Sequence, residues 1–275
     1  MTSIPVVAVI GYPIYHSKSP KMHGYSLNQT GVAGYYVPLE VKPENLETTL
    51  RNMPKQGFRG ANVTIPHKEQ VLHIADFITD RAQRIGAANM LYFDGDGKIH
   101  ADNTDGYGFI TNLKIGAPDW NAKTSVPLVI GAGGASRAII DTLLREGAPT
   151  LYLTNRTKDR ASFLAEEFGQ SIEVLDWEEK SGILPKVNTI INTTSLGMSG
   201  KGTLDLEYDR LTSSMTVTDI VYTPLETELL KNARIRGCTC VDGLGMLIYQ
   251  GIPGFQKWFN VLPTVSDDLR KLLLA

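Results

Sequence analysis

Cysteine is nearly missing from this sequence: Cys238 and Cys240 are the only two in 275 residues. They stand two positions apart in an apolar stretch, Cys238-Thr239-Cys240, and are not expected to bond each other. Two thiols also make no zinc framework, and no metal site is expected. They read as small buried hydrophobes in a reducing cytoplasm. An excess of one charge sign is missing too. A net charge of −2 offers no basic footprint for nucleic acid and none for an acidic membrane. No apolar run approaches the ~18 residues of a membrane helix. Residues 1–10 are apolar but carry no basic segment, and Gly11-Tyr12-Pro13 interrupts them, so a first strand is expected there and not a secretory signal.

What is present is ordinary globular material, 42% apolar and 20% charged, in a length that suits two domains. Strand patterns alternate with helical ones nearly to the end. In the first section, strands are predicted at 6–10, 33–41, 60–65, 88–93 and 98–101, with helices at 20–28, 44–53 and 67–77. Asp94-Gly95-Asp96-Gly97 is a hairpin-turn signal between the last two strands. After a polar, Pro-containing stretch at 117–125, strands are predicted at 126–130, 151–154, 189–192, 216–220 and 239–241. Helices at 135–146, 158–168 and 227–236 separate them, and the tail reads as helices at 245–259 and 266–274. The chain is therefore expected to be α/β throughout: an N-terminal α/β section, then a doubly wound parallel sheet of the dinucleotide-binding kind.

The strand at 126–130 runs into Gly131-Ala132-Gly133-Gly134-Ala135-Ser136, after which a helix begins. Glycines there permit a tight turn and let backbone N–H groups approach a pyrophosphate at the helix N-terminus. A Gly-x-Gly-x-x-Gly pattern is weak alone, and its third position here is Ser136. The strand before, the helix after and the further βα units support it. No Lys-Ser or Lys-Thr follows the glycines, which excludes a nucleoside triphosphate loop. The end of the next strand selects the cofactor. Where an NAD site places a carboxylate for the ribose 2′-hydroxyl, this chain has Asn155-Arg156-Thr157, with Arg160 one turn later. Two guanidinium groups and a hydroxyl suit a 2′-phosphate, and cations at a helix start are disfavoured unless an anion visits. NADP(H) is the expected cofactor.

Other polar groups gather at predicted strand ends. Ser17 and Ser19 follow the first strand, and Pro20 at a first helical position makes Ser19 the expected N-cap. That leaves Ser17 free for a ligand carboxylate. Lys68 falls in the first turn of the helix predicted at 67–77, where it opposes the dipole and lacks a structural explanation. Thr64, Asn89 and Asn103-Thr104-Asp105 add hydroxyls, amides and a carboxylate.

These segments occur in one order with several more. Gly-x-Pro-x-x-His-Ser-x-Ser-Pro ends at Pro20, Asn-Val-Thr-x-Pro-x-Lys ends at Lys68, and Asn-Thr-Asp-Gly ends at Gly106. Then come the Gly-Ala-Gly-Gly-Ala turn, Asn-Arg-Thr-x-x-Arg-Ala from Asn155, Asn-x-Thr-Ser-x-Gly-Met from Asn192, Asp219-x-Val-Tyr222-x-Pro, and Gly245-Met246-Leu247-x-x-Gln250-Gly251. Across residues ~8 to ~258 the chain resembles the shikimate dehydrogenase family.

The resemblance implies reversible, NADPH-dependent reduction of 3-dehydroshikimate to shikimate on the route to chorismate and the aromatic amino acids. It implies a substrate domain built from both chain ends, 1–105 with 244–275, and an NADP domain at 106–243. Ser17 and Ser19 would hold the ring carboxylate with Tyr222 near it, and Thr64, Asn89 and Gln250 would bond ring hydroxyls. Lys68 and Asp105 would form the catalytic pair, with Lys68 carrying the proton and Asp105 positioning it. Gly131, Ala132, Gly133, Gly134, Ala135, Asn155, Arg156, Thr157, Arg160, Thr193, Thr194 and Ser195 would hold the cofactor, with Gly243 near the nicotinamide. Two positions depart from the family pattern, Gly24 for Asn and Met90 for Thr, and neither carries a role.

Three other readings stand beside this one. A quinate/shikimate dehydrogenase using either cofactor fits the motifs, but Ser17, Ser19, Arg156 and Arg160 favour shikimate and NADP. A non-catalytic NADP sensor would not need Lys68 and Asp105. A short-chain reductase would need a tyrosine followed four residues later by lysine, and none occurs. The expected state is a cytoplasmic monomer or weak homodimer.

Overall fold

The β-branched run after Pro5 forms β1 (Val6–Gly11), whose residues are buried from Val7 onward in the computed structural model, which describes residues 4–275. There follow α1 (Ser19–Thr30), β2 (Tyr35–Glu40), α2 (Leu46–Asn52), β3 (Phe58–Val63), β4 (Phe77–Ile78), α3 (Asp80–Ile85), β5 (Met90–Phe93), β6 (Ile99–Asp102) and α4 (Asp105–Gly116). The second section comprises β7 (Pro127–Ile130), α5 (Gly134–Arg145), β8 (Leu151–Thr154), α6 (Lys158–Phe168), β9 (Ile172–Leu175), β10 (Thr189–Asn192), β11 (Thr216–Asp219), α7 (Glu228–Ile235) and β12 (Thr239–Val241). The chain ends in α8 (Gly243–Phe259) and α9 (Asp267–Leu274). Two units result: the residues up to Asp105 together with Ile248–Ala275, and Gly106–Leu247. The chain passes from one to the other inside α4 and returns inside α8.

The first unit holds a mixed sheet in the order β2-β1-β3-β5-β6-β4. β1 is parallel to β2 and β3, while β5 runs antiparallel to β3 and β6. Side chains alternate faces along a strand, and both faces of β1 are covered. Ala8 and Ile10 pack with Leu46, Leu50, Met53 and Val71, and Val7 and Val9 pack with Tyr36, Phe255, Trp258 and Phe259. Thus the last part of the chain supplies, with Ile14 and Leu27, the cover for one face of a sheet begun at its start. Trp258 is fixed there by donating its indole N–H to Leu91 O at 2.8 Å.

The second unit is a six-stranded sheet, β12-β11-β10-β7-β8-β9, with every neighbouring pair parallel. The order reverses between β7 and β10. In open α/β sheets that reversal marks the crevice where a ligand binds at the strand C-terminal ends. The doubly wound parallel sheet expected from the strand–helix alternation is therefore present.

Several local expectations are corrected. No α-helix forms at 67–77; the segment holds only a 3-10 turn, Gln70–His73, and then joins the sheet edge as β4. Its backbone is taken by tertiary partners, since Ala88 N–H donates to Lys68 O and Asp76 N–H to Ile99 O. The helix-dipole argument about Lys68 falls with that helix. Ser19 is not the N-cap of α1. Lys18 occupies that position, and Ser17 Oγ accepts the Ser19 N–H at 3.3 Å. Residues 105–116, left unassigned in the sequence, form α4 despite glycines at 106, 108 and 116. At Gly106 a side chain would strike Thr142 Oγ1, so the glycine lets α4 pass close to α5. α3, capped by Thr79, and β9 are further elements without a predicted counterpart.

Candidate active site

In the first unit, Asn103-Thr104-Asp105 carries the chain from β6 into α4, and Asp105 opens the helix, where a carboxylate is favoured. Its side chain is almost buried, and both oxygens are used. Oδ2 accepts from Lys68 Nζ at 2.5 Å and Oδ1 from Asn89 Nδ2 at 2.7 Å. The Asp105 N–H in turn donates to Asn103 Oδ1. Asn89 is saturated: Nδ2 also donates to Gln250 Oε1 at 3.1 Å, and Oδ1 accepts from Thr104 N–H at 2.8 Å and Thr104 Oγ1 at 3.1 Å. Gln250, far away in sequence, is drawn in further because its backbone O also lies 2.8 Å from Thr104 Oγ1. Lys68, with 22% of its side chain exposed, uses one of its three ammonium donors on Asp105. The arrangement is a buried, fully bonded base that presents a single cation.

The structure thus joins four of the predicted residues, Lys68, Asp105, Asn89 and Gln250, in one hydrogen-bonded cluster. Ser17 and Ser19 sit at the start of α1, Ser17 half-buried and Ser19 buried. Thr64 follows β3, and its N–H donates to Ile10 O at 2.9 Å, which sets it beside Gly11. The Lys18 ammonium between the two serines is captured by Leu273 O at the end of α9. At the other end of that helix its N-cap, Ser266, bonds Tyr25 of α1 at 2.9 Å.

Two residues of this network had no counterpart among the sequence candidates. Tyr36 Oη donates to Asn62 Oδ1 at 2.6 Å, and Asn62 Nδ2 donates to Asn89 O at 3.1 Å. Asn62 stands in a motif and could have been singled out. Tyr36 sits in an ordinary strand pattern and carries no local signal. His23 stacks on Tyr36 at 4.2 Å, and burial holds its pKa down at about 3, so the ring is neutral. Burial also pushes the Tyr36 phenol well above its usual value.

In the second unit, the strand ends at the sheet's reversal point carry the glycine-rich turn. Gly131 adopts φ 115°, a left-handed conformation that favours glycine, and a side chain there would strike Thr193 Oγ1. Ser136, in place of a third glycine, is fully buried. It accepts the Gly133 N–H at 3.1 Å and pairs with Thr193 Oγ1 at 2.6 Å, so it fastens the turn to the end of β10. The N-cap of α5, Gly133, has no side chain to accept the first helix amides, and a methyl group added at Gly133 or Gly134 would meet nothing within 4 Å. Open space over uncapped helix amides suits a diphosphate.

Asn155 bridges this turn to the next loop, accepting the Ala132 N–H at 3.2 Å and donating to Thr157 O at 2.8 Å. Arg156, Thr157 and Arg160 are exposed. Lys158 pairs with Asp176 at 2.8 Å, but among the described residues neither Arg156 nor Arg160 has an ion-pair partner. Two exposed guanidinium groups beside a helix start, unpaired among the described residues, fit a 2′-phosphate. The residues present therefore fit NADP(H).

After β10, the Thr193 hydroxyl donates to Ile130 O and the Thr194 hydroxyl to Asn192 Oδ1. Both hydroxyls are occupied in shaping the turn, while Ser195 is exposed. Gly243 opens α8 where a side chain would strike Ile220 O, a close backbone approach. Tyr222 follows β11, and burial raises its phenol pKa. Ser17, Ser19, Thr64, Lys68, Asn89, Asp105 and Gln250 thus belong to the first unit, and Tyr222 belongs to the second with the cofactor candidates.

A model described as the shikimate dehydrogenase substrate binding domain matches residues 9–91, and one described as shikimate / quinate 5-dehydrogenase matches residues 115–223. The shikimate dehydrogenase (NADP(+)) of Roseobacter denitrificans is 53% identical over 275 residues, covering 100% of this chain and 99% of that one. Among solved structures, shikimate 5-dehydrogenase from Thermus thermophilus, in complex with NADP(H) and shikimate, superposes with a TM-score of 0.87 at 32% identity, over 98% of both chains. Quinate dehydrogenase from Corynebacterium glutamicum in complex with NAD gives a TM-score of 0.91 at 29% identity, covering 98% of this chain and 99% of that one. With family models over most of its length and full-length relatives at this level of identity, the chain belongs to the shikimate dehydrogenase family.

Proposed function

We propose that this enzyme catalyses the reversible reduction of 3-dehydroshikimate to shikimate with NADPH, a step towards chorismate and the aromatic amino acids. The observation that carries the assignment of its chemistry is the Lys68–Asp105–Asn89–Gln250 cluster. NADPH supplies the hydride. The Lys68 ammonium donates a proton to the oxygen on which charge develops, and Asp105, clamped by Asn89, holds that ammonium in place. In the oxidative direction Lys68 takes the proton back.

Ser17 and Ser19 donate their hydroxyls to the ring carboxylate, and Tyr222 is a substrate contact of the second unit. Thr64, Asn89 and Gln250 bond ring hydroxyls. Both Asn89 amide hydrogens already have partners, so its contact with the ring replaces the longer bond to Gln250. Gly131, Ala132, Gly133, Gly134 and Ala135 cradle the diphosphate, with Asn155 fixing the turn. Arg156, Thr157 and Arg160 take the 2′-phosphate, and Thr193, Thr194, Ser195 and Gly243 line the nicotinamide side. The first unit is accordingly the substrate domain and the second the NADP domain. The enzyme works in the cytoplasm, where Cys238 and Cys240 remain thiols, as a monomer or weak homodimer. Among the described residues no helix is long and apolar enough to cross a membrane.

Initial rates followed by nicotinamide absorbance, with shikimate and quinate each against NADP+ and NAD+, test the reading. Shikimate with NADP+ is expected to dominate. Turnover confined to quinate with NAD+ would overturn it.

A further inference from the structure

β10 and β11 end side by side, with Asn192 opposite Asp219 in the register. Each runs straight into a loop assigned ligand contacts above, Thr193 to Ser195 after β10 and Tyr222 after β11. Asp219 is completely buried, and among the described residues no cation pairs with it. Its Oδ1 accepts from Asn192 Nδ2 and from Val221 N–H, each at 3.0 Å, and its Oδ2 accepts from Thr227 Oγ1 at 2.7 Å. Asn192, also fully buried, wraps the following turn around its own amide. Its Nδ2 donates to Leu196 O at 3.0 Å, and its Oδ1 accepts from Thr194 N–H at 3.1 Å and Thr194 Oγ1 at 2.7 Å. The two loops are also joined directly, since Ser199 N–H donates to Thr223 O at 3.1 Å and Gly197 packs on Thr227.

A carboxylate buried without a cation is costly, and its retention calls for a use that an apolar residue could not serve. Every bond Asp219 makes goes to a residue at a loop root. We propose that Asn192 and Asp219 form one shared base that positions both loops, making Asp219 a positioning residue for the turn Thr193 to Ser195 and for Tyr222 together. This rests on the ligand assignments above. The surroundings agree with it. Burial pushes the Asp219 carboxyl up to about 6, against the pull of its three donors. The Asp219 charge also reaches Tyr208, whose phenol is raised to about 12 by burial first and then by Glu228, Asp205 and Asp219.

Hydrogen exchange of the ligand-free protein separates positioning from ligand contact. In Asp219→Ala, peptides covering 192–199 and 219–227 are expected to exchange at least about tenfold faster while the rest of the second unit keeps its protection. Asp219→Asn keeps the Oδ1 acceptor and can donate to Thr227 Oγ1, so it should restore slow exchange. Asn192→Ala, a second route to the same loosening, should accelerate both loops if Asp219→Ala fails to fold. Wild-type exchange in both loops of the Ala variants would overturn the proposal. So would acceleration spread evenly over the unit, or an Asn variant as loose as the Ala variant. Tyr222→Phe is measured alongside: an unchanged KM for shikimate there removes the assigned contact of Tyr222 and leaves the exchange result standing.

Discussion

The two units solve ligand binding in opposite ways. In the first, the candidate groups are side chains that have already spent their hydrogen-bonding capacity on one another: Asp105 on Lys68 and Asn89, Asn89 on Gln250 and Thr104. In the second, they are backbone amides over open space and two arginines with no partner among the described residues. A reacting centre gains from groups fixed before the substrate arrives, because no reorganisation is then needed as charge develops. A phosphate carries enough charge to order flexible guanidinium groups on arrival. The difference teaches that rigidity is placed where charge changes and withheld where charge is merely matched.

The contrast can be broken most sharply at Lys68. Lys68→Ala is expected to lower kcat by ~10²-fold or more with little change in KM, as loss of general acid–base catalysis would. Steady-state kinetics showing near-normal kcat would mean that the fixed cluster is not the reacting centre. On the other side, Arg156→Ala should weaken NADPH about tenfold or more and leave NADH almost unaffected, since only the former offers a charged partner. Equal losses in titration calorimetry would detach Arg156 from the 2′-phosphate.

Acid should also divide the units. His23 is neutral in the folded state, with its pKa lowered from 6.5 to about 3. The stability this reflects is present above pH ~6.5 and is lost as pH falls towards ~3, by roughly 2 kcal/mol at pH ~5. Asp219 has the opposite sign. Its folded pKa is raised from 3.8 to about 6, so its contribution is full below pH ~4 and is lost as pH rises through ~6. Calorimetry from pH ~7 to ~5 should therefore show the first unit weakening and the second strengthening by about 1 kcal/mol. Asp219→Asn should stabilise the second unit at neutral pH by up to about 3 kcal/mol and flatten its acid dependence. The smallest effect concerns Gly24, inside α1 with open space around it. Gly24→Ala should raise thermal stability by about 0.5–1 kcal/mol without altering either KM.

The same contrast explains what could be read without a structure. The second unit's turn is local: a strand, glycines and a helix in one stretch, followed by Asn155, Arg156 and Arg160. Its parallel sheet followed from alternation alone. The first unit's cluster joins residues 68, 89, 105 and 250, and no spacing rule links them; only the resemblance put them together. The helix expected at 67–77 failed because Lys68 O and Asp76 N–H bond distant strands, a tertiary pull that no local pattern records. Ser19, expected as the N-cap of α1, falls inside the helix, and Ser17, expected free for a ligand, accepts its N–H. Tyr36 matters through Asn62, a partner that alternation in a strand cannot name.

That far end has a further consequence during synthesis. One face of the first unit's sheet, with Val7, Val9, Tyr36 and Met90, is covered by Phe255, Trp258 and Phe259. None of these exists until the ribosome has made all of Gly106–Leu247, which at roughly 5–20 residues per second takes on the order of ten seconds. Throughout that interval the nascent first hundred residues hold an apolar sheet face that only their own Ile14 and Leu27 help to cover, while the segment that interrupts them holds its own sheet and core without a break in the chain. The order of birth is thus the reverse of the order of completion: the inserted unit is free to fold first, and the unit with which translation began closes last.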